Sequence, residues 1–283
     1  MYSNITIVIP SYKSGKLIIS HLKKISNKIN VIIIENSKDK RLKKEIETKH
    51  KNVKVYLQNN IGYGNAINYG SKFVKTKYFF VMNPDTIIYK NTIKKLLIAA
   101  KKIKHFGALS PDQIKNKKIN LNKKKKIIEK KQLDGGAMLF ETRIFKHIEG
   151  FDENIFLYYE ENDYFHKCNN LNLKLYLIRN CFFYHSKKGD SSSAIYKNSK
   201  EKFYSYLIGG WHGQWSKFYY LKKYHGFIYA IIKCMPNLIV NFVQLLIKAI
   251  TLSKKTKYLY FKIEGLISSI IGIPSYKRSK FDK

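Results

Sequence analysis

The stretch that most constrains this chain is Lys77-Tyr78-Phe79-Phe80-Val81-Met82-Asn83-Pro84-Asp85-Thr86. Tyr78 to Met82 is an unbroken apolar run of aromatic, branched and sulfur side chains, which predicts a strand covered on both faces. Pro84 has no amide hydrogen for a ladder and ends it. Asp85 is left at the strand's carboxyl end, where open α/β sheets bind ligands. A plain alternative is that Asp85 caps a helix over 91–104.

The preceding residues repeat the pattern. Ile5 to Ile9 reads as a buried strand stopped by Pro10, Ser14–Ile29 as a helix, and Asn30 to Ile34 as a second strand. That is a βαβ unit and implies a parallel sheet. A helix over 41–50, a strand over 53–57 and a helix over 65–75 complete a nucleotide-binding half by residue 104. Beyond it, 115–131 is a lysine-rich loop or hairpin. A strand is expected over 135–140, helices over 142–148 and 158–171, and short strands over 173–178 and 181–184. These expectations give an α/β domain over 1–210 and a helical, membrane-associating extension over 211–283.

The formal charge of +35 raises nucleic acid as a partner. Only four of the 54 basic residues are Arg, however, and Arg is favoured for reading base edges. Lysine filling solvated positions explains the charge as well, and we expect no nucleic-acid partner. Three widely spaced cysteines suit a reducing compartment. The start of the chain has no basic segment ahead of its first strand, which argues against a cleaved signal peptide. Between Lys202 and Ile263 there is no acidic residue. Within it, 236–252 reads as a helix with a narrow polar stripe: Asn237, Asn241, Gln244, Lys248 and Thr251. Its uncharged run of 14 residues is short of the ~20 needed to cross a bilayer, so a helix lying in the interface is expected. Packing on the domain is the alternative.

Several clusters carry chemistry. Glu35-Asn36-Ser37 stands at the end of the second strand, where a carboxylate can accept the N3 hydrogen of uracil or thymine. A capped turn is the structural alternative. Gly62 and Gly64, within Asn60–Gly70, permit close approach of a ligand to the backbone. Residues 152–163 hold five carboxylates among aromatic residues, a pattern that suits a cleft. His185 follows a buried strand and can join Asp85 on a metal ion.

The ordered set IVIPSY (7–12), ENS (35–37), NNIGYGNAINYG (59–70), MNPDT (82–86), DGGAMLF (134–140), GFDENIFLYYEEND (150–163) and HSKKGDS (185–191) resembles glycosyltransferase family 2, of the GT-A fold, and within it the rhamnosyltransferase-like branch. The resemblance implies inverting transfer of a sugar, rhamnose first, from a dTDP- or UDP-linked donor. The acceptor it implies is a lipid-linked saccharide of surface polysaccharide biosynthesis, at the cytoplasmic face of the membrane. It places Pro10, Tyr12, Glu35 and Asn36 around the base. It places Asn60, Gly62, Gly64, Asn68, Asn83 and Asp85 on the nucleotide sugar, and Asp85 with His185 on Mg²⁺ or Mn²⁺. Glu161 stands at the position of the catalytic base, with Glu160 and Asp163 beside it. Two positions depart from the pattern: Asn83 replaces the first Asp of DxD, and Glu161 replaces the Asp of a Glu-Asp pair. A basic nucleic-acid-binding protein and a GT-A scaffold without catalysis are the competing readings.

Overall fold

The computed structural model describes residues 2–114, 126–185, 198–250 and 254–281. The chain divides into two compact units. One holds residues 1–61, 65–151 and 164–195, the other 62–64, 152–163 and 196–283. The boundary expected at 210/211 falls inside one continuous helix, Ser199–His225.

The first unit is built on a mixed sheet. Its described strands are β1 (Ile5–Ser11), β2 (Asn30–Glu35), β3 (Val53–Leu57), β4 (Tyr78–Met82), β5 (Thr86–Ile88), β6 (Ala108–Gln113), β7 (Ile127–Lys130), β8 (Ala137–Glu141) and β9 (Leu175–His185), in the order β3-β2-β1-β4-β8-β6-β9-β5 with β7 on β9. β3, β2, β1 and β4 are mutually parallel, so their carboxyl ends share one edge. β4 is buried at every position, as its apolar run requires. Burying each such side chain contributes roughly 1.5–3 kcal/mol. Pro10 does not stop β1, which runs through to Ser11 with Pro10 opposite Ile34 in the ladder.

The helices of this unit begin with α1 (Gly15–Leu22), α2 (Lys40–Lys49), α3 (Tyr63–Ser71) and α4 (Thr92–Ile103). They continue with α5 (Thr142–His147) and α6 (Glu160–Asn170). The units divide α3 after Gly64 and α6 after Asp163. α1 stops seven residues short of the expected Ile29, because Ser26 and Asn27 favour turns. Ile29 is still buried. The Asp39 side chain caps α2 by accepting from Leu42 N at 2.9 Å. The two short strands expected before His185 form one strand, β9. Its pairing with β6 shifts from Pro111–Ile178 to Asp112–Phe182, a bulge that absorbs 179–181.

In the second unit the described long helices are α7 (Ser199–His225), α8 (Phe227–Ile250) and α9 (Lys254–Ile270). Gly226, at φ 87°, makes the left-handed turn between α7 and α8. α8 does not begin at Pro236 as expected but carries it internally. α7 and α9 pack closely because Gly265 has no side chain. A Cβ there would lie 2.2 Å from the Trp211 carbonyl oxygen. Trp211 and Phe218 are fully buried. Residues 227–249 of α8, whose most apolar 18-residue window has mean hydropathy 1.7, are long and apolar enough to cross a membrane.

Candidate active site

At the sheet edge of the first unit, Glu35 ends β2 opposite Ser11 of β1. Both of its oxygens are used. Ser11 Oγ donates to Oε2 at 2.5 Å, and Ser37 donates to Oε1 from its backbone N at 2.9 Å and from its hydroxyl. Glu35 is fully buried, so in this conformation it organises the turn and presents no oxygen to solvent. Pro10 is buried as well. Asn36 N donates to Ser11 O at 2.8 Å, Lys13 N to Ser37 Oγ at 3.3 Å, and the Lys13 ammonium lies 5.2 Å from the Tyr12 ring centre. The half-buried Tyr12 and the turn around it are therefore the parts of this corner that a planar ligand can reach.

The second cluster lies beyond β4. Asn83 N donates to Gly136 O at 3.1 Å, which carries the chain out of β4 beside β8. Thr86 Oγ1 donates to the same carbonyl at 2.9 Å. β5 then pairs antiparallel with β9, placing Thr86 opposite His185. That register brings His185 Nε2 to 3.0 Å from Asp85 Oδ1. The pairing expected from sequence is thus present in the fold. Asp134, unassigned from sequence, joins it: Oδ1 accepts from Gly136 N at 2.8 Å. A Cβ on Gly136 would meet Asp134 Oδ1 at 3.0 Å and His185 Nδ1 at 3.2 Å, so a side chain there would press on both. The hydrogen bond to Asp85 raises the His185 pKa. Burial opposes this, and the charges of Asp85 and Asp134 add to it.

These groups fit a divalent ion. Two protein ligands, one carboxylate and one imidazole, would leave further positions on a divalent ion for water and diphosphate oxygens. The Asn83 side-chain oxygen is buried without a hydrogen-bond partner among the described residues, one more oxygen beside the Asp85 turn. Among the described residues no group of three or more His, Cys, Asp or Glu side chains forms a complete metal cage.

The glycine and asparagine positions before α3 have structural duties. Gly62 stands at φ 93°, and a Cβ on it would lie 2.3 Å from Phe156 O, the carbonyl that accepts from Tyr63 N at 3.2 Å. Its missing side chain makes room for protein backbone. Gly64 is buried and Asn60 half-buried. Asn68 pairs with Phe151 through both ends of its amide: Nδ2 donates to Phe151 O at 2.8 Å, and Phe151 N donates to Oδ1 at 2.9 Å. It is a clamp on the turn at 150–151, with both ends of its amide engaged there.

The second unit holds the acidic segment. Asp152 accepts from Asn154 N at 2.9 Å, Tyr219 OH at 3.0 Å and Lys223 Nζ at 2.7 Å. Burial would raise its pKa, but Lys223 and Asn154 hold it below the usual carboxylate range. Asp163 is fully buried and accepts from Lys223 Nζ at 2.5 Å and Tyr224 OH at 2.8 Å. Both aspartates tie this segment to α7. Tyr158 and Tyr159 take left-handed φ of 66° and 70° directly before α6, a costly conformation for two aromatic residues in succession. It aims Glu160 and Glu161 differently. Glu160 is 3% exposed, and its Oε2 has no hydrogen-bond partner among the described residues. Burial raises the Glu160 pKa well above the usual value, and the neighbouring Glu161 charge raises it further. Glu161 is half-buried. Burial thus disfavours charge on Glu160, and Glu161 is the more exposed carboxyl of the pair.

A mixed sheet of this order, with carboxylates at its strand ends and a helical C-terminal region, defines a GT-A-type transferase fold. Residues 6–171 match glycosyl transferase family 2, and the chain belongs to that family. By its description, that family is one of glycosyl transferases. Among solved structures it is similar to GalNAc-T7 with UDP, GalNAc and Mn²⁺, at 14% identity and TM-score 0.56, over 77% of this chain and 50% of that one. It is similar to S. aureus TarS 1–349, at 13% identity and TM-score 0.53, over 95% of this chain and 92% of that one. The same TarS fragment in complex with UDP-GlcNAc gives 14% identity and TM-score 0.53 over the same shares. The chain thus spans half the length of the first of these and most of the TarS fragment. No curated protein sequence matches it significantly.

Proposed function

We propose that this protein is a metal-dependent, inverting transferase that moves a sugar, rhamnose in first place, from a dTDP or UDP donor to a lipid-linked saccharide during surface-polysaccharide assembly, at the cytoplasmic face of the membrane. The observation that carries the reading is the Asp85–His185 pair at 3.0 Å, with Asp134 across Gly136. Asp85 and His185 hold the ion, Mg²⁺ or Mn²⁺, and Tyr12 and the Asn36–Ser37 turn receive the base. Asn60 and Asn83 offer side-chain amides to the donor. The ion, when bound, neutralises the departing diphosphate. Glu161 takes the proton of the acceptor hydroxyl as its oxygen bonds to the anomeric carbon and the bond from that carbon to the diphosphate breaks. Glu160 is buried and Glu161 half-buried, so Glu161 is the carboxylate an acceptor hydroxyl can reach. Asp163, already bound by Lys223 and Tyr224, supports the helix instead of taking part.

The neighbours solved with UDP-GlcNAc and with UDP and GalNAc support a UDP-hexosamine as the donor to test beside dTDP-rhamnose. A thermal-shift panel of uridine, thymidine and guanosine diphosphates with and without Mn²⁺ tests the site. A ligand at a hundredfold excess over its Kd adds about 2.7 kcal/mol of stability. Turnover with UDP-hexosamine and none with dTDP-rhamnose overturns the sugar. A shift unaffected by Mn²⁺ overturns the metal.

A further inference from the structure

We propose that the second unit carries a binding pocket for one hydrocarbon chain of an anionic membrane lipid, with the lipid phosphate held by Lys200, Lys257 and Lys280. The inference rests on the membrane-facing part of the function proposed above. A cavity of about 670 Å³ opens among α7, α8, α9 and the residues near 280. That is within the roughly 300–1,000 Å³ typical of small-molecule sites. Its wall is apolar: Phe203, Tyr204 and Leu207 from α7, Leu245 from α8, Phe261 from α9, and Phe281. Leu207 is buried at its base, while the aromatic side chains named are half-buried. The polar groups on it are three exposed lysines, Lys200 of α7, Lys257 of α9 and Lys280 of the C-terminal stretch, and the hydroxyls of Tyr204, Thr256 and Tyr260. Among the described residues no Asp or Glu lines it.

An apolar wall with a cationic rim selects a ligand that is a hydrocarbon at one end and an anion at the other. A nucleotide or a free sugar meets neither condition well, because a mostly apolar wall offers few partners for its many hydroxyls. The pocket is also continuous with a membrane-suited surface. Leu245 belongs to α8, whose neighbouring Phe242, Val243 and Leu246 are 52%, 48% and 54% exposed. A patch of that kind on a soluble surface marks an interaction site. A chain that leaves the bilayer beside α8 can enter the cavity without crossing a polar barrier, while its phosphate stays at the lysine rim.

The test uses the full chain on vesicles of phosphatidylcholine doped with phosphatidylglycerol that carries a photoactivatable group in its acyl chain. Cross-linked peptides are mapped. Labels are expected on 203–207 and 256–261 in addition to the outer face of α8. Combined Lys200→Gln, Lys257→Gln and Lys280→Gln should lower the pocket label at least fivefold. A matched loss of charge, Lys202→Gln, Lys233→Gln and Lys255→Gln, should leave it nearly unchanged. Leu245→Trp should fill the cavity and lower the pocket label while labelling of α8 persists. Labels confined to 227–247, equal losses in both lysine sets, or equal pocket labelling by a phosphatidylcholine probe would each overturn the proposal. Donor breakdown to nucleoside diphosphate is followed in parallel. A working donor reaction with no pocket label rejects the lipid site and spares the transferase; a pocket label with no reaction on any donor does the reverse.

Discussion

Asp85, Glu161, Asp163 and His212 have separable duties, and their substitution should show it. Asp85→Ala should abolish metal-dependent binding of the donor nucleotide, measured by calorimetry with and without Mn²⁺; unchanged metal dependence would exclude Asp85 as a ligand. Asp134→Asn should weaken the same binding less, since Asp134 reaches the site through Gly136 N and His185. Glu161→Gln should lower turnover on the order of 10²-fold or more with donor binding intact. Asp163→Asn belongs to a different class. It weakens a buried carboxylate that holds Lys223 and Tyr224, and should cost about 1–3 kcal/mol of stability, read from the denaturant midpoint. A dead but fully stable Asp163→Asn would show that the base has been misassigned by two residues. His212 gives a pH signature. It is fully buried, with Nε2 donating to Lys277 O at 2.8 Å and Nδ1 accepting from Ser275 Oγ at 3.0 Å, and burial lowers its pKa to about 3. The unfolded chain therefore takes up this proton first, near pH 6.5, and stability falls with pH from there towards 3. His212→Gln should flatten that part of the stability–pH curve relative to the parent chain; an unchanged slope would remove His212 from the account.

At the scale of elements, what the sequence revealed and what it hid have physical causes. β4, β1 and β2 were legible because continuous buried runs announce strands covered on both faces. β6 was hidden, since Ala108–Gln113 includes Pro111, Asp112 and Gln113, and its ladder shift at Pro111 breaks any simple pattern. β5 was hidden by its three-residue length. Asp85 and His185 could be paired on chemistry, but the pairing itself comes from the β5–β9 register, which no local signal encodes. Asp134 had one available signal, an Asp-Gly-Gly turn directly before a buried strand. Glu35 and Asn68 were legible as polar residues in a ligand-binding half, yet their oxygens and amides serve Ser11, Ser37 and Phe151. Residue type reveals hydrogen-bonding capacity, not which neighbour uses it. The lysine tract over 115–125, the 186–191 part of HSKKGDS and Thr251 lie outside the described residues. The contact of α7 with α9 was likewise unreadable, because a single Gly265 looks like any helix interruption. Gly265→Ala should strain that contact by about 1–3 kcal/mol. Hydrogen exchange should quicken over 199–225 and 254–270; unchanged protection in both helices would show that the contact yields without strain.

For the whole molecule, charge and α8 together carry the proposed membrane association. A net charge of +35 would draw the chain to anionic lipid, at about 1 kcal/mol per lysine near the surface, and salt would screen that attraction over a Debye length of ~10 Å at 0.1 M. α8 adds a term that salt does not screen. Its packed line runs through Ala230, Cys234 and Asn241, all buried, and Lys262 Nζ donates to Asn241 Oδ1 at 2.9 Å. The opposite face shows Ile228, Ile232 and Ile239 at 75%, 64% and 57% exposure. This polarity is the reverse of a helix facing water. By length, residues 227–249 can cross a bilayer, and 17% of the most apolar window is buried in the protein. Crossing would pull Asn241 off Lys262 of α9, and α9 carries Lys255, Lys257 and Glu264, which hydrocarbon does not accept. We therefore expect α8 to lie in the interface with its packed line kept on α7 and α9. Binding to anionic vesicles should weaken with salt to a residual level that neutral vesicles share. Phe242→Glu with Leu246→Glu should remove the residual binding while leaving stability within about 0.5 kcal/mol, because both side chains are already exposed. Alkaline carbonate should extract the protein from membranes. Retention in the carbonate pellet, with residual binding lost on removing 227–249, would instead make α8 a spanning helix and overturn the in-plane arrangement.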